Sequence, residues 1–195
     1  PNAMMLRAAA YLISQGPVTA QDRWEENAGY SPSTLATVIA SLVCSATLGK
    51  ERGEVSTADF ILAYADWLAT HIEEWTVTTK GELVEGVSKH YIRITPTDAS
   101  SPDPHADPNT AMLQIANGGG LHPARNIVGG DFLHLVRFGI RSADDPIIRN
   151  SVEVIDRVIK RELPQGPGWR RYNHDGYGQK VDGSAFDGTG RCTAA

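Results

Sequence analysis

Apolar residues recur at spacings of three and four along much of this sequence, and that period predicts amphipathic helices. A first helix is predicted over residues 3–14. A second is predicted to start after Ser31, an expected N-cap followed by Pro32 at the first helical position, and to end at Gly49. A third is predicted over residues 56–75, where an apolar stripe ends in a tryptophan.

The rest of the chain alternates short elements with long polar loops. Short strands are predicted near residues 75–79 and 90–94, and helices over 132–140 and 146–163. Residues 95–130 show no period, and a loop of that length in a compact domain is more often functional than idle. The pattern predicts an all-α fold, a ring of paired helices whose loops converge at one end to form a cleft.

Length and charge narrow the class of protein. At 195 residues the chain fits one domain. Its formal charge of −5 comes without a basic stripe, which argues against a nucleic-acid partner. The apolar stretch over residues 35–48 is interrupted by Thr37, Ser41 and Ser45, so a core helix is expected there and not a membrane span. Residues 1–14 lack the pattern of a signal peptide, and the localisation stays open.

Cysteine and metal chemistry give weak signals. Cys44 lies inside the apolar repeat of the second helix and is expected to be buried, whereas Cys192 lies in a polar tail. A disulfide between them has no support, and no Cys/His spacing resembles a zinc site. No cofactor is expected, with Ca²⁺ as the one alternative. Its ligands would be carboxylates that lie among prolines and lack the ligand order of an EF-hand, Asp98, Asp103 and Asp107.

The most informative motif joins two carboxylates to an aromatic ring. Trp24, Glu25 and Glu26 lie between two predicted helices, with Asp22 and Arg23 beside them. An indole can stack on the face of a pyranose and exclude water, which lets one acid keep its proton near neutral pH. The motif therefore suits the cleavage of a glycosidic bond. An ordinary acidic loop between helices is the alternative.

The residues around this motif, GPVTAQDRWEENAGYS from Gly16 to Ser31, resemble the general-acid segment of glycoside hydrolase family 15. The family comprises glucoamylases, with glucodextranases and some trehalases as relatives. Further stretches agree in the same order along nearly the whole chain, and the prokaryotic branch is the most similar. They are Ala65-Asp66-Trp67, His71-Ile72-Glu73-Glu74-Trp75-Thr76, His90-Tyr91-Ile92-Arg93-Ile94, Asn117-Gly118-Gly119-Gly120, Phe132-Leu133-His134-Leu135-Val136-Arg137 and Arg171-Tyr172-Asn173-His174-Asp175-Gly176-Tyr177-Gly178.

The resemblance implies a fold and a reaction. The fold is an (α/α)6 barrel, the six-hairpin toroid, with its active site in the loops at one end. The reaction is hydrolysis of α-linked glucose from the non-reducing ends of an α-glucan or maltooligosaccharide, with inversion at the anomeric carbon. Matched by position, Glu25 is the general acid that protonates the departing oxygen. Substrate contacts are assigned to Asp22, Trp24, Glu26, Arg171 and Asp175, and Tyr172 is added as a stacking face or donor.

The resemblance also predicts what these residues lack. An inverting glycosidase needs a second carboxylate as general base, and in the family it lies downstream of the stretch that resembles Gly188-Thr189-Gly190-Arg191. The Arg-Asp pair that grips the terminal glucose lies upstream of Pro1. Residues 1–195 are therefore expected to form an incomplete catalytic domain without the first and last barrel helices, inactive alone and prone to associate through apolar faces. No motif supports Asp182 or Asp187 as a substitute base.

Three alternatives stay open from the sequence. A glucodextranase or trehalase of the same family would share these motifs. A non-catalytic sugar-binding remnant would keep Trp24 and Arg171 without the base. An unrelated helical interaction protein is favoured if Trp24, Glu25 and Glu26 do not converge with Arg171 on one cleft.

Three further features are expected to be structural. The Glu73-Glu74-Trp75 motif repeats the theme of acids beside an aromatic ring, but Trp75 continues a helical stripe. His71 is next to that stripe and is expected to be a hydrogen-bonded core histidine. Asn117-Gly118-Gly119-Gly120 lacks the lysine of a phosphate loop and is expected to be a turn.

Overall fold

The computed structural model describes residues 2–116 and 118–177 of the chain. Its first three helices are α1 (Asn2–Gln15), α2 (Pro32–Lys50) and α3 (Val55–Thr76). All three lie where the period of three and four predicts them, because one apolar face of each is long enough to dominate the pattern.

A helical hairpin of α2 and α3 forms the main part of the core. Four residues join the two helices, which pack together along their lengths. By length and composition α2 could cross a membrane, but half of that stretch is buried inside the protein, as in a core helix. The buried apolar side chains of the hairpin include Leu35, Ile39, Leu42 and Ala46 from α2, and Ala58, Ile61, Ala65, Leu68, Ile72 and Trp75 from α3.

The start of α2 depends on proline more than on a capping side chain. Ser31 occupies the N-cap position with φ −110° and ψ 127°, as predicted, but its side chain makes no capping hydrogen bond. Pro32 follows at the start of the helix, where its fixed φ and missing N–H cost nothing.

Cys44 is exposed, so the expectation of a buried side chain is wrong. Leu42 and Ala46 are fully buried in the same helix, whereas Val43 exposes 41 % of its surface. Successive residues of a helix are about 100° apart, so a buried stripe that passes through Leu42 and Ala46 leaves Cys44 towards solvent. Cys192 lies outside the described residues.

Two short antiparallel strand pairs tie the loops to the helices. β2 (Val77–Thr78) pairs with β3 (His90–Tyr91), which confirms the predicted pair at a shorter length. β1 (Gly29–Tyr30) pairs with β4 (Thr95–Pro96). The second pair attaches the loop that carries the acidic motif to the segment that follows β3.

Residues 95–130 contain more regular structure than predicted. β5 (Met112–Ile115) and β6 (Gly120–Pro123) form an antiparallel hairpin. Gly118 and Gly119 lie in the turn at its tip, as predicted, while Asn117 lies outside the described residues. Side chains of β5 alternate between exposed and buried, but over four residues only, which is too short for the period to stand out in the sequence.

The two later helices are shorter than predicted. A 3₁₀ turn (Gly130–Phe132) leads into α4 (Leu133–Arg137), and α5 spans Pro146–Val158. The start of α5 is capped by the side chain of Asp145, which accepts hydrogen bonds from the N–H groups of the second and third helical residues.

The prediction that the last helix continues to residue 163 is wrong. After α5 the chain forms a hairpin of β7 (Lys160–Leu163) and β8 (Gly166–Trp169). Gly166 has φ +121°, a value that favours glycine, at the end of the two-residue turn. Leu163 lies four residues after the buried Ile159, so it fits the helical period although it belongs to a strand.

A second apolar cluster lies beneath the acidic motif. It joins the segment after β3, the β5–β6 hairpin and the residues that follow it, and Trp24 packs against its edge. Its buried members are Ile92, Ile94, Leu113, Ile115, Ala124, Ile127 and Tyr172. This cluster gives the loops a packed support of their own, apart from the helical core.

Candidate active site

Asp22 organises the acidic motif into a tight turn. Its side chain is buried, and Oδ1 accepts hydrogen bonds from the backbone N–H groups of Trp24 at 3.1 Å and Glu26 at 3.2 Å. Its carbonyl oxygen accepts from the N–H of Glu25 at 2.9 Å. An Asp side chain that bonds to the amides just after it is a common turn former. Asp22, predicted to contact substrate, therefore also shapes the loop.

The ends of this loop are closed by backbone contacts that require glycine. Thr19 and Gly29 exchange two backbone hydrogen bonds of 2.9 and 3.0 Å. Gly29 has φ +151°, and a Cβ atom there would lie 2.2 Å from the carbonyl oxygen of Thr95. Only glycine permits so close an approach at that φ, so the glycine of the motif docks the loop onto β4.

Glu25 has an unusual backbone conformation. Its φ is +60°, in the left-handed region that costs a non-glycine residue roughly 1–2 kcal/mol. Its side chain is exposed and accepts no hydrogen bond from any of the described residues. None of the described residues engages this carboxyl group, so within that part of the chain it is open to a ligand, as a proton donor must be.

Arg93 is the buried cation that holds the flanking acids in place. The residue is 1 % exposed, and Nη2 donates to Oδ2 of Asp22 at 2.5 Å and to Oε2 of Glu26 at 2.9 Å. The guanidinium group lies 3.8 Å from the ring centroid of Tyr172. Two carboxylates so close together need a cation between them. Sequence reasoning missed Arg93, and its place in a family-like motif was the one available signal.

Glu26 joins the first part of the site to residues almost 150 positions later. Arg171 and Asp175 form a two-pronged ion pair, with both N–O distances at 2.6 Å. Nη2 of Arg171 lies 3.7 Å from Oε1 of Glu26. The hydroxyl of Tyr172 donates to Oε2 of Glu26 at 2.5 Å. Glu26 therefore contacts two cations and one phenol, counting Arg93.

The local electrostatics keep these donors protonated. Burial lowers the pKa of Arg171, but the hydrogen bond and the charge of Asp175 outweigh it and raise that pKa above its usual value. Burial and the hydrogen bond to Glu26 raise the pKa of Tyr172. The site thus retains its guanidinium and phenol donors across the pH range in which proteins are ordinarily stable.

Backbone contacts position Arg171. Gly129 and Tyr172 form an antiparallel bridge, and a Cβ atom on Gly129 would lie 2.6 Å from the carbonyl oxygen of Arg171. The side-chain oxygen of Asn173 accepts a hydrogen bond from the N–H of Val128 at 2.8 Å. The segment that carries the arginine is therefore fixed on both sides of that residue.

Asp131 is a second residue that sequence reasoning missed. It is 4 % exposed; Oδ2 accepts from Nε1 of Trp24, and Oδ1 accepts from Nη1 of Arg23, both at 3.3 Å. Burial raises the pKa of Asp131, against the opposing charge of Arg23 and the hydrogen bond from Trp24. The guanidinium of Arg171 lies 5.0 Å from the Trp24 ring centroid. The indole is thus fixed at its nitrogen and at one face.

The predicted site residues converge. Arg171 contacts Trp24, and the exposed Glu25 lies between Trp24 and Glu26 in the sequence. An unrelated helical interaction protein was expected to lack this convergence. The six residues predicted to contact substrate are joined by hydrogen bonds, ion pairs or cation–π contacts, and they are Asp22, Trp24, Glu26, Arg171, Tyr172 and Asp175.

The second acid–aromatic motif is structural, as predicted. Glu73 accepts hydrogen bonds from Arg141 at 2.7 and 2.8 Å and from the hydroxyl of Tyr91 at 2.6 Å. Burial raises the pKa of Glu73, but these partners outweigh it and lower that pKa. His71 bonds to the carbonyl of Trp67 at 2.7 Å and is partly exposed, so it is not a core histidine.

The remaining predicted features are not assembled into a site. Asp98, Asp103 and Asp107 each accept hydrogen bonds within their own turn. No group of three or more His, Cys, Asp or Glu side chains in residues 2–116 and 118–177 is arranged to hold a metal ion, and calcium stays an untested alternative. Asp182, Asp187 and the residues 188–191 lie outside the described part of the chain.

The packed helices, together with the acids, the indole and the arginine that the segments between and after them bring together, define a class: a partial six-hairpin (α/α) toroid of the glycosidase type. The chain belongs to glycosyl hydrolases family 15, whose model matches residues 3–187. This confirms the family resemblance of the motifs and the fold class that it implies.

Two relatives illustrate the similarity. A glucoamylase from Clostridium sp. (strain G0005) is 42 % identical over 183 residues, which are 94 % of this chain and 25 % of that protein. The crystal structure of a bacterial glucoamylase complexed with acarbose is 41 % identical, with a TM-score of 0.82 over 93 % of this chain and 26 % of that chain. The chain thus spans about a quarter of the length of the relatives that it matches.

Proposed function

We propose that this chain carries the general-acid part of a glucoamylase-like active site, which hydrolyses α-linked glucose from the non-reducing ends of α-glucans with inversion. The observation that carries the proposal is that Arg171 contacts both Glu26 and Trp24, the two sequence neighbours of the exposed Glu25. Membership of the family and similarity to a glucoamylase that was crystallised with acarbose support it.

In this mechanism Glu25 transfers its proton to the glycosidic oxygen as the C1–O bond breaks. A water molecule attacks C1 from the opposite face, and a second carboxylate takes the proton of that water. Glu26, which follows the acid in the sequence, and Arg171, which contacts Glu26, bind hydroxyl groups of the sugar that departs. The arginine suits this role because its planar fork can donate to two adjacent oxygens, which a lysine cannot do.

The second carboxylate is expected outside these 195 residues, as the resemblance implies. Without this carboxylate, the water that attacks C1 has no general base to take its proton, and the glycosidic bond is not hydrolysed. We therefore expect the isolated chain to release no detectable glucose from maltose or soluble starch while it still binds saccharide. Glucose release that disappears in Glu25→Gln would contradict this expectation.

Calorimetric titration with acarbose tests the binding half of the proposal. The wild-type chain is expected to bind, and Arg171→Ala is expected to weaken binding about tenfold or more, because hydrogen bonds from a charged group contribute roughly 1.5–3 kcal/mol. Arg161→Ala is the matched control, since this exposed arginine on β7 donates only to the neighbouring Lys160 carbonyl among its described contacts. Equal losses in the two variants, or no binding by the wild type, would refute the proposal.

A further inference from the structure

The β5–β6 hairpin contacts both parts of the acidic site. On one side, the side-chain amide of Asn27, at the end of the acidic loop, donates to the backbone carbonyl oxygen of Gln114 at 3.0 Å. On the other side, Ile115 lies in the same buried apolar cluster as Tyr172, the neighbour of Arg171. The hairpin therefore lies where it can set the position of the arginine-bearing segment, residues 171–175, relative to the acidic loop.

Two stacked histidines join the hairpin to that segment. The rings of His122, on β6, and His174 have their centroids 4.1 Å apart and an interplanar angle of 29°. Nε2 of His122 lies 2.7 Å from the carbonyl oxygen of Gly119. Because a carbonyl oxygen can only accept, this nitrogen is the donor. The ring of His122 is thus held by its own hairpin and presents a face to His174.

The backbone of His174 is held close to the turn of the hairpin. Its φ is +60°, in the left-handed region that disfavours a side chain. A Cβ atom on Gly119 would lie 2.5 Å from the carbonyl oxygen of His174. A residue keeps such a conformation only where the surrounding contacts fix it. Asp175 follows directly and forms the ion pair with Arg171, so a movement of His174 also moves that pair.

Protonation weakens a contact of this kind, because histidine gains charge as the pH falls below neutral. Burial lowers the pKa of His174, and the charge of His122 lowers it further. Among the described residues, His122 is the one charged group that shifts this pKa. The other titratable groups of the hairpin and of residues 171–177 are Arg171, Tyr172, Asp175 and Tyr177. Since Asp175 already pairs with Arg171, two protonated rings at this spacing repel each other.

We propose that His122 and His174 are positioning residues for saccharide binding, whose stack holds residues 171–175 against the β5–β6 hairpin and loosens when both rings are protonated. The inference rests on the proposed function, in which Arg171 binds hydroxyl groups of the sugar. Its consequence is that the affinity for a saccharide without any titratable group falls as the pH drops.

Calorimetric titration of the 195-residue chain with maltotriose at pH 7.5 and pH 5.5 tests this inference, with circular dichroism to show that each variant is folded. Wild type is expected to lose affinity about threefold or more at pH 5.5, because the contact requires an uncharged histidine. His122→Phe keeps a ring that cannot take up a proton. It is expected to retain most of the affinity at pH 7.5 and to change by less than about 1.5-fold at pH 5.5.

His174→Asn removes the ring but keeps a residue type that tolerates positive φ. It is expected to bind maltotriose about threefold or more weakly than wild type at pH 7.5, because residues 171–175 lose their contact with the hairpin. His105→Gln is the matched control, since His105 is an exposed histidine in the loop before β5. It is expected to keep the wild-type affinity at both pH values.

Three results would overturn the inference. They are equal affinity of wild type at the two pH values, a loss in His122→Phe at pH 5.5 as large as that of wild type, and wild-type affinity in His174→Asn at pH 7.5. Absence of binding by wild type at pH 7.5 would instead refute the proposed function, and this inference with it.

Discussion

At the scale of single residues, the site depends on one buried cation. Arg93 faces two carboxylates, Asp22 and Glu26, whose side chains are 2 % and 9 % exposed. Arg93→Met is expected to lower the free energy of unfolding by about 3–5 kcal/mol, because the acids would remain buried without a partner. Urea unfolding followed by circular dichroism measures this change.

An exposed ion pair provides the control for that prediction. Arg157 pairs with Glu153 one helical turn away, and their side chains are 64 % and 44 % exposed. Arg157→Met is expected to change the free energy of unfolding by less than about 0.5 kcal/mol. A similar small effect in Arg93→Met would show that the acids do not depend on this cation.

The sequence indicates the residues proposed to contact a ligand more clearly than the residues that hold them in place. Trp24, Glu25 and Arg171 occur in motifs with a chemical signature. Arg93 and Asp131 have the same residue types as many surface positions. Arg93 falls in a family-like stretch, but for both residues it is burial that reveals their role in supporting the site. Burial of a charged residue follows from tertiary contacts over long distances in sequence, which no local period encodes.

At the scale of elements, the position of the acidic loop depends on the β1–β4 pair. Gly29→Ala is expected to destabilise the chain by at least about 2 kcal/mol, because the new Cβ would lie 2.2 Å from the Thr95 carbonyl oxygen at a φ of +151°. The same substitution is expected to weaken acarbose binding, since the loop must move to relieve the clash. Thermal unfolding and calorimetry measure the two effects.

Gly53 separates the effect of φ from that of the clash. It also has positive φ, +80°, but no atom lies within 4 Å of the position of its Cβ. Gly53→Ala is expected to cost about 1 kcal/mol and to leave acarbose binding unchanged. If Gly29→Ala behaves like Gly53→Ala, the close approach of β1 and β4 has no role in the site.

Helices could be predicted from the sequence where their apolar stripes are long, as in α2 and α3. The β5–β6 and β7–β8 hairpins could not, because each strand has four residues. The spacing of Ile159 and Leu163 fits a helix as well as it fits the observed structure. The helix ends before Leu163 because β7 pairs with β8, and the spacing does not encode that pairing. Short strands are specified by their partners more than by their own pattern.

At the scale of the whole molecule, histidines with a lowered pKa make stability depend on pH; His90 is buried, whereas His134 and His174 are only partly shielded from water. Burial lowers the pKa of His90, His134 and His174, and nearby positive charges lower the pKa of the last two further. The unfolded chain therefore binds more protons below about pH 6.5 than the folded chain does. The free energy of unfolding is expected to be highest above that pH and to fall as the pH drops from 7.5 to 5.5.

His90→Gln tests which group is responsible. His90 is fully buried, so its replacement is expected to flatten the dependence of the free energy of unfolding on pH. His105→Gln, at an exposed position, is expected to keep the wild-type slope. Urea unfolding at several pH values gives both slopes, and an unchanged slope in His90→Gln would remove this histidine from the account.

Large apolar side chains remain exposed on the first helices, among them Tyr11 and Phe60 at 62 % each. A pocket between α1 and α3 is lined mainly by apolar residues of both helices. Exposed apolar faces of this kind favour contact with other protein surfaces, which is the reason to expect association of the isolated chain. That association stays a prediction. Because the chain spans only about a quarter of the length of these relatives, the decisive experiment uses a complete barrel.

That experiment places this chain in the Clostridium glucoamylase in exchange for the quarter that it matches, and measures glucose release from maltose. The account predicts an active chimera in which Glu25→Gln lowers kcat about 10²–10⁴-fold, while Glu85→Gln, at an exposed loop position, leaves kcat unchanged. Retention of kcat in Glu25→Gln by an active chimera would contradict the assignment of Glu25 as the general acid.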